Sequence, residues 1–260
     1  MTLYNDYRPL RVFVGNEEIA KDNRIVTKGR SSMTLLPDFY TVDMYNITDT
    51  DTAKLARAKT MYIYVGEELT LICTGTIEGI YSHEEGGNEV TSVSLSDGIE
   101  MWTAKTNIAI GRGSSVKDAM KRITAGFKLA PYFSGNARFP RGQAFSGGII
   151  DPINILSKSV NARAFITNGT LYVIDKGQII NHFVLREDDL VIEPRYVGNV
   201  CIVKTLVSGY TSGAVVDFNN IQYRIIARAI SVDNMEGDWD TEMVLFNESK
   251  ITKEEMGGGW

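Results

Sequence analysis

Along most of this 260-residue chain, apolar positions fall at every second residue or gather in short runs rich in Val, Ile, Tyr and Thr. A period of two belongs to strands, whose side chains point to alternate faces. The pattern predicts strands at residues 10–14, 24–27, 39–47, 61–65, 69–81 and 90–95. TSVSLS is the cleanest case: Val93 and Leu95 alternate with serines, giving a half-buried strand. A further apolar strand leads up to Ile110, and there the period changes. Val116, Ala119, Met120, Ile123 and Phe127 recur at helical spacing, so residues 115–127 read as an amphipathic helix. A second helix is expected from DPINILSKSV, with Asp151 capping it and Pro152 at the first helical position, where its missing N–H costs nothing. Strands resume in AFITNGTLYVID. Asn168-Gly169 between its two apolar runs marks a tight hairpin, because both residues tolerate positive φ. More strands are expected at 200–207, 214–218, 223–232 and 242–246.

The order is therefore β, then a central helical section, then β again: a mainly β, α+β chain. Residues 126–151 combine turn residues with aromatics and read as an ordered, irregular connection. The tail KITKEEMGGGW, with three consecutive glycines, is expected to be mobile, with Trp260 docking on a partner. The two β sections echo each other. Residues 75–97 read as a strand, an acidic glycine loop and a strand carrying Thr91 and Leu95. Residues 223–248 repeat that plan with Thr241 and Leu245. The echo is either a duplication or a chance likeness between two hairpins.

Composition narrows the function classes. Hydrophobic residues make up 43% and charged residues 23%, ample for a real core. The net charge of −5, from 27 basic and 32 acidic residues, argues against a dedicated nucleic-acid binder, which neutralises phosphates with Lys and Arg. MTLYNDYRPLRVFV lacks the basic-then-apolar order of a signal peptide, and no apolar run reaches the roughly 20 residues of a membrane helix. Cys73 and Cys201 sit inside apolar runs and read as small buried hydrophobes in a reducing compartment. The sequons at Asn46, Asn168 and Asn247 carry no meaning without secretion.

The stretch with most chemical promise is IAIGRGSSVKDAMKRI. A dinucleotide fingerprint needs a small third residue where Val116 stands, and a phosphate-binding P-loop needs a lysine that Gly113-Ser114-Ser115 lacks. The same residues make a helix start: Ser115 as cap, Asp118 reaching back in a capping box, Gly111 and Gly113 shaping the turn. His83, in the exposed-looking SHEEGG loop, and His182 stand alone, with no His-x-x-x-His, Cys-x-x-Cys or Gly-x-Ser-x-Gly around them. The acidic groups Glu84/Glu85, Glu187/Asp188/Asp189 and Asp233/Asp238/Asp240 suit solvated turns better than a catalytic pair. Arg138, Arg141, Arg186 and Arg195 lie among acids and suit ion pairs across an interface. The expectation is no enzyme, with no catalytic residue, cofactor or metal site.

The order of segments resembles the baseplate hub, or tail hub, proteins of tailed phages and contractile injection systems, of the late-control protein D type. LLPDFYTVDMYNIT followed by TAKLARAKTMYIYVG is similar to that family's opening, with Tyr45-Asn46-Ile47 ahead of a short helical turn. LICTGTIEGIYSHEEGGNEVTSVSLSDG resembles its next hairpin, ending in Asp97-Gly98. INILSKSVNARAFITNGTLYVIDKG and DDLVIEPRYVGNVCIVKTLVSGYTSGAVVDF resemble the helix-plus-hairpin element and the second β-unit.

The resemblance implies two tube-like β-barrel modules, one in residues 1–107 and one in 191–250. A helix-containing connection with a hairpin fills 108–190, and residues 251–260 form a flexible tail. It implies a structural, ring-forming homotrimer that imitates sixfold symmetry and links a sixfold tail tube to a threefold spike or tip. The implied partners are tube, spike or tip, tape-measure and other baseplate proteins. DNA would pass the lumen without specific binding, no membrane would be involved, and assembly would occur in the bacterial host cytoplasm. No lysozyme or peptidase extension is visible. The alternatives are a hexameric distal-tail or tube ring protein and a carbohydrate-binding receptor-recognition component. A nucleotide-dependent enzyme would rest on residues 111–115 alone.

Overall fold

A computed structural model describes residues 9–130, 133, 136–175 and 177–248; the glycine-rich tail and Trp260 lie outside the described residues. The first section holds β1 (Leu10–Val14), β2 (Glu17–Ile19), β3 (Ile25–Ser32) and β4 (Asp38–Tyr45). There follow α1 (Asp49–Leu55), β5 (Thr60–Val65) and the long hairpin of β6 (Thr70–Glu85) and β7 (Asn88–Asp97). The middle section holds α2 (Ile99–Thr103), β8 (Lys105–Ile110), α3 (Val116–Ile123), β9 (Lys128–Leu129) and β10 (Gln143–Gly148). It ends with α4 (Ile150–Ser159), β11 (Ala162–Thr167) and β12 (Thr170–Asp175). The last section holds β13 (His182–Leu185), β14 (Arg195–Val197) and β15 (Val200–Leu206), then β16 (Val215–Phe218), β17 (Ile221–Asp233) and β18 (Trp239–Phe246). The chain is mainly β with a few short helices, as its period-two pattern implies.

The first and last sections share one sheet, in the order β14-β15-β18-β17-β3-β4-β7-β6-β5-β1-β2, with β16 and then β13 attached to β17. Alternation decides which face is buried. In β4, Asp38, Tyr40, Val42 and Met44 point inward while Phe39 and Thr41 are exposed. A slip of one residue would reverse that set, so the buried row fixes the register. Three cores result. One gathers inward residues of β1 to β7 and α1, among them Ile63, Leu95 and Leu55, and takes in Ile230 and Val232 of β17. A second joins α2, α3 and α4 to the β8–β10 and β11–β12 pairs. A third gathers β13 to β18 around Phe218, Met243 and Leu245. Each buried side chain of this size contributes about 1.5–3 kcal/mol.

The two β sections share a connectivity. β3-β4-β7-β6-β5 and β14-β15-β18-β17-β16 have the same strand order, the same chain order and all-antiparallel neighbours. A bulge falls between Ile77 and Gly79 in β6 and between Ile225 and Ala227 in β17, opposite Leu95 and Leu245 respectively. With the bulges aligned, Thr91 and Thr241 also take equivalent places. The echo seen in the sequence is a repeat of strands, pairings and bulge. The units join where the far half of β17 pairs with β3.

The local signals behave as their chemistry requires. Asn168 and Gly169 both take positive φ at the β11–β12 turn. Ser115 caps α3, its hydroxyl oxygen accepting from the Asp118 amide at 3.0 Å. The box is not reciprocal: the Ser115 hydroxyl donates to the Asp118 carboxylate at 2.7 Å instead of that carboxylate taking the Ser115 amide. Three readings are corrected. Asp151 does not cap α4, since Ile149 stands there and makes no side-chain cap, leaving Asp151 in the first turn, where its charge suits the helix dipole. The connection at 126–151 contains β9 and β10. β10 pairs along its whole length with β8, because the partner edge supplies backbone hydrogen bonds that outweigh the weak strand preference of its glycines. Finally, His83 belongs to β6, stacked on Tyr81 at 5.6 Å, because the hairpin extends to Glu85 before it turns.

Candidate assembly interface

The residues with chemical promise are dispersed. Gly111, Gly113 and Ser115 form the turn into α3, tied by backbone bonds to residues 137–139 and by Arg138, which donates to the Gly113 carbonyl at 2.7 Å. His182 meets Asp217 at 2.8 Å on neighbouring strands β13 and β16. Glu84 and Glu85 sit near the β6–β7 turn, where Glu85 accepts from the Tyr45 hydroxyl. Residues 187–189 form a short 3-10 turn before β14. Asp233 is held by Arg24 at 2.7 Å, Asp240 by Lys204 at 2.9 Å, and Asp238 accepts from Ser231. Arg195 reaches Glu242 at 3.5 Å within its own chain, and Arg186 begins the 3-10 turn, its amide donating to Asp189. Among the described residues, no three His, Cys, Asp or Glu side chains meet as a metal-ligand set. Cys73 and Cys201 are free and buried, and burial pushes the Cys73 thiol up to about 12.

Two other features stand out. The first is a polar row inside the sheet where the three cores meet. Arg228 of β17 lies opposite Ser31 of β3, and Asp38 of β4 lies opposite Asp97 of β7. Continuing the β3–β4 register sets Ser31 opposite Asp38, so the four side chains form one cross-strand line. All four are buried. Arg228 donates to the Ser31 hydroxyl at 2.9 Å and to the carbonyls of Tyr210 and Ile72, fastening the second β section to the first. Ser31 also meets Ser212 at 2.9 Å. At the other end Asp97 accepts from the Gly169 amide at 2.8 Å, docking the β11–β12 turn on the sheet. Asp38 accepts from the Ser32 amide at 2.9 Å. The second carboxylate oxygen of each aspartate is buried with no hydrogen-bond partner among the described residues. Burial pushes Asp38 up to about 8 and Asp97 up to about 6, against the backbone amides and Arg228, which favour the ionised forms. At neutral pH burial therefore favours the protonated form of Asp38, while Asp97 is raised less.

The second feature is a pair of open sheet edges. β5 accompanies β6 only as far as Thr76. From Glu78 to Glu85, β6 pairs, among the described residues, with β7 alone, and every residue is exposed, Tyr81 by 59%. At one end of the sheet β14 pairs, among the described residues, with β15 alone, with Tyr196 58% and Val197 67% exposed. Unpaired amides and carbonyls beside exposed apolar side chains invite another strand. Between these edges, the sheet face opposite the cores carries Lys28, Arg30, Phe39 and Thr41 exposed to solvent beside the small residues Ser94, Ser231 and Ala229.

Sequence reasoning reached Asp97 and Arg195 but missed Arg228, Asp38, Ser31 and the edges. Arg228 shares parity with the buried Ile230 and Val232 along β17, and that parity was the available signal. Asp38 had none, because its meaning comes from Asp97, a strand partner 59 positions away.

No family model and no curated protein matches the sequence. The fold is matched in solved structures. The tail protein from Neisseria meningitidis MC58 has a TM-score of 0.65 at 11% identity, over 94% of this chain and 98% of that one. The 43 kDa tail protein of prophage MuSo2 from Shewanella oneidensis has a TM-score of 0.66 at 9% identity, over 94% and 98%. The E. coli c3393 protein is a component of the type VI secretion system, described as structurally similar to the T4 bacteriophage tail proteins gp27 and gp5. It has a TM-score of 0.65 at 10% identity, over 92% and 77%. At such identities the likeness establishes a shared fold, that of phage-tail and type VI secretion tail proteins.

Proposed function

We propose that this chain is a structural subunit of a phage tail or phage-like contractile particle: a hub that forms a homotrimeric ring between a sixfold tail tube and a threefold spike or tip. The observation that carries the reading is the repeat of one five-strand unit, bulge included, within a single continuous sheet. Two equivalent units per chain allow three chains to present six near-equivalent positions, and a head-to-tail contact that rotates back on itself closes a ring. On the sheet face opposite the cores Asp43 and Glu242 lie near Lys28 and Arg30 among small polar residues, and such a balanced face suits a passage that DNA crosses without adhering, since strong phosphate contacts would hold it. Catalysis, cofactors and membranes have no part in this reading. Tube, spike, tape-measure and other baseplate proteins are its expected partners, and the virion tail its location.

Native mass spectrometry of the purified chain, together with electron microscopy of a particle labelled on it, tests the reading. Three copies in a ring at the tube–spike junction are expected. Six copies would favour a distal-tail or tube ring protein, and glycan binding by a monomer would favour a receptor-recognition component.

A further inference from the structure

The internal junction supplies a template for the contact between chains. Beyond its bulge, β17 pairs with β3: Arg228 with Ser31, Ala229 with Arg30, Ile230 with Gly29 and Ser231 with Lys28. Aligned on the bulges, Ile80, Tyr81, Ser82 and His83 of β6 hold the places of residues 228–231. β14 holds the place of β3. Tyr196 faces Cys201 as Gly29 faces Tyr40, and Cys201 and Tyr40 lie opposite the equivalent residues Leu245 and Leu95. Among the described residues both strands that stand in for the joined pair are unpaired on the corresponding side, β14 at one end of the sheet and β6 along the half that β5 does not cover.

We infer that the free half of β6 in one copy adds in antiparallel fashion to β14 of a second copy, in the register Ile80 to Gly198, Tyr81 to Val197, Ser82 to Tyr196 and His83 to Arg195. This deepens the hub reading and rests on it. The occupant of each edge is a second copy of this chain because the chain already contains both halves of the joint and makes its equivalent once internally. The side chains agree with the register. Tyr81 and Val197, each more than half exposed, become directly opposed partners, the arrangement in which aromatic and β-branched residues stabilise an antiparallel pair. Arg195 comes beside the end of β6 that carries Glu84 and Glu85. Pro194, without an amide hydrogen, marks where the ladder stops. The contact is heterologous, so it propagates from copy to copy until rotation closes it.

Paired cysteines read the register. Tyr81→Cys combined with Val197→Cys should give disulfide-linked dimers and trimers on denaturing gels after mild oxidation, since opposed Cβ atoms of an antiparallel pair approach to about 4.5 Å, within reach of a disulfide after a small local adjustment. Tyr81→Cys with Arg195→Cys, two residues out of register, should give little cross-linking. Tyr81→Lys should abolish trimers in native mass spectrometry and leave the far-UV circular dichroism of the folded chain unchanged, because the side chain is exposed in the single chain. A wild-type trimer that cross-links equally with both pairs, or with neither, overturns the register and leaves the hub reading intact. A wild-type chain that is hexameric in its particle, or never joins a particle, overturns the hub reading itself.

Discussion

Replacing Asp38 with asparagine should stabilise the protein above neutral pH. In the folded chain Asp38 is pushed up to about 8 and Asp97 up to about 6, from ordinary values near 3.8. The folded state thus binds protons that the unfolded chain has released, so stability falls as pH rises from about 4 to about 8 and then levels off. At pH 7, keeping Asp38 neutral costs up to about 4 kcal/mol, at 1.36 kcal/mol for each of roughly three pH units, and structural relaxation would bring this nearer 2 kcal/mol. Asparagine carries no such cost. Its side-chain amide brings N–H donors to the strand position opposite Asp97, whose second oxygen has no partner among the described residues. For a chain of this size the gain corresponds to roughly 4–15 °C in melting temperature at pH 8, shrinking to about a third of that at pH 5 and towards zero near pH 4.

Calorimetry of both proteins between pH 4.5 and 9 measures this directly. The difference between the two curves is the informative quantity, because other groups titrate in the opposite sense. Against the pull of burial, hydrogen bonds from Arg24 and from the Met235 and Glu236 amides hold Asp233 below its ordinary value, and the hydrogen bond from Arg11 does the same for Glu18. Those groups contribute stability that is present above about pH 4 and lost below it. A D38N protein that melts below wild type at pH 8, or a difference that stays constant from pH 5 to 9, would refute the account in which burial holds Asp38 protonated.

Two further substitutions probe the same joint. Arg228→Lys keeps the charge but loses the planar fork that serves Ser31, Tyr210 and Ile72 together, and should cost about 2–4 kcal/mol, seen as a lower urea midpoint; a change under about 0.5 kcal/mol would show that the fork is dispensable. Gly29→Ala places a methyl group 2.1 Å from a ring carbon of Tyr40 and 2.7 Å from the Phe39 carbonyl oxygen, so β3 and β4 must part, and a loss of at least about 2 kcal/mol is expected by calorimetry; an unchanged melting temperature would mean that Tyr40 swings aside freely.

What could be read from sequence was local. Asn168-Gly169, Ser115 and the parity of β4 and β7 each depend on neighbours within a few positions. The paired hairpins were legible because Thr91/Leu95 and Thr241/Leu245 recur at equal spacing. What stayed hidden depends on a partner supplied by another part of the chain. β10 reads as a loop until β8 lies beside it. β13 has four residues and a parallel partner, β16, which no hairpin signal announces. His83 sits in a composition typical of turns, yet the ladder with β7 carries the strand past it. The same limit hid Asp38 and the open edges, since a sequence does not say which strands end a sheet.

The two joints differ in the residues they place at one position, and physics accounts for the difference. At the internal joint the position belongs to Arg228, fully buried and satisfied by three acceptors. At the open edge the equivalent residue is Ile80. A buried guanidinium is tolerable where its acceptors arrive with it on the same polypeptide, because the joint forms once, during folding, and never opens. At an edge that meets water before it meets a partner, the same arginine would have to shed its hydration at every encounter, at a cost of several kcal/mol. An isoleucine gains from burial at each encounter and leaves nothing unsatisfied. The acidic pair Glu84/Glu85 beyond it keeps the free strand soluble, as charge does on other exposed edges. Exchanging the two chemistries by Ile80→Arg should therefore leave folding intact and remove assembly, whereas a trimer that tolerates arginine there would break the equivalence between the joints.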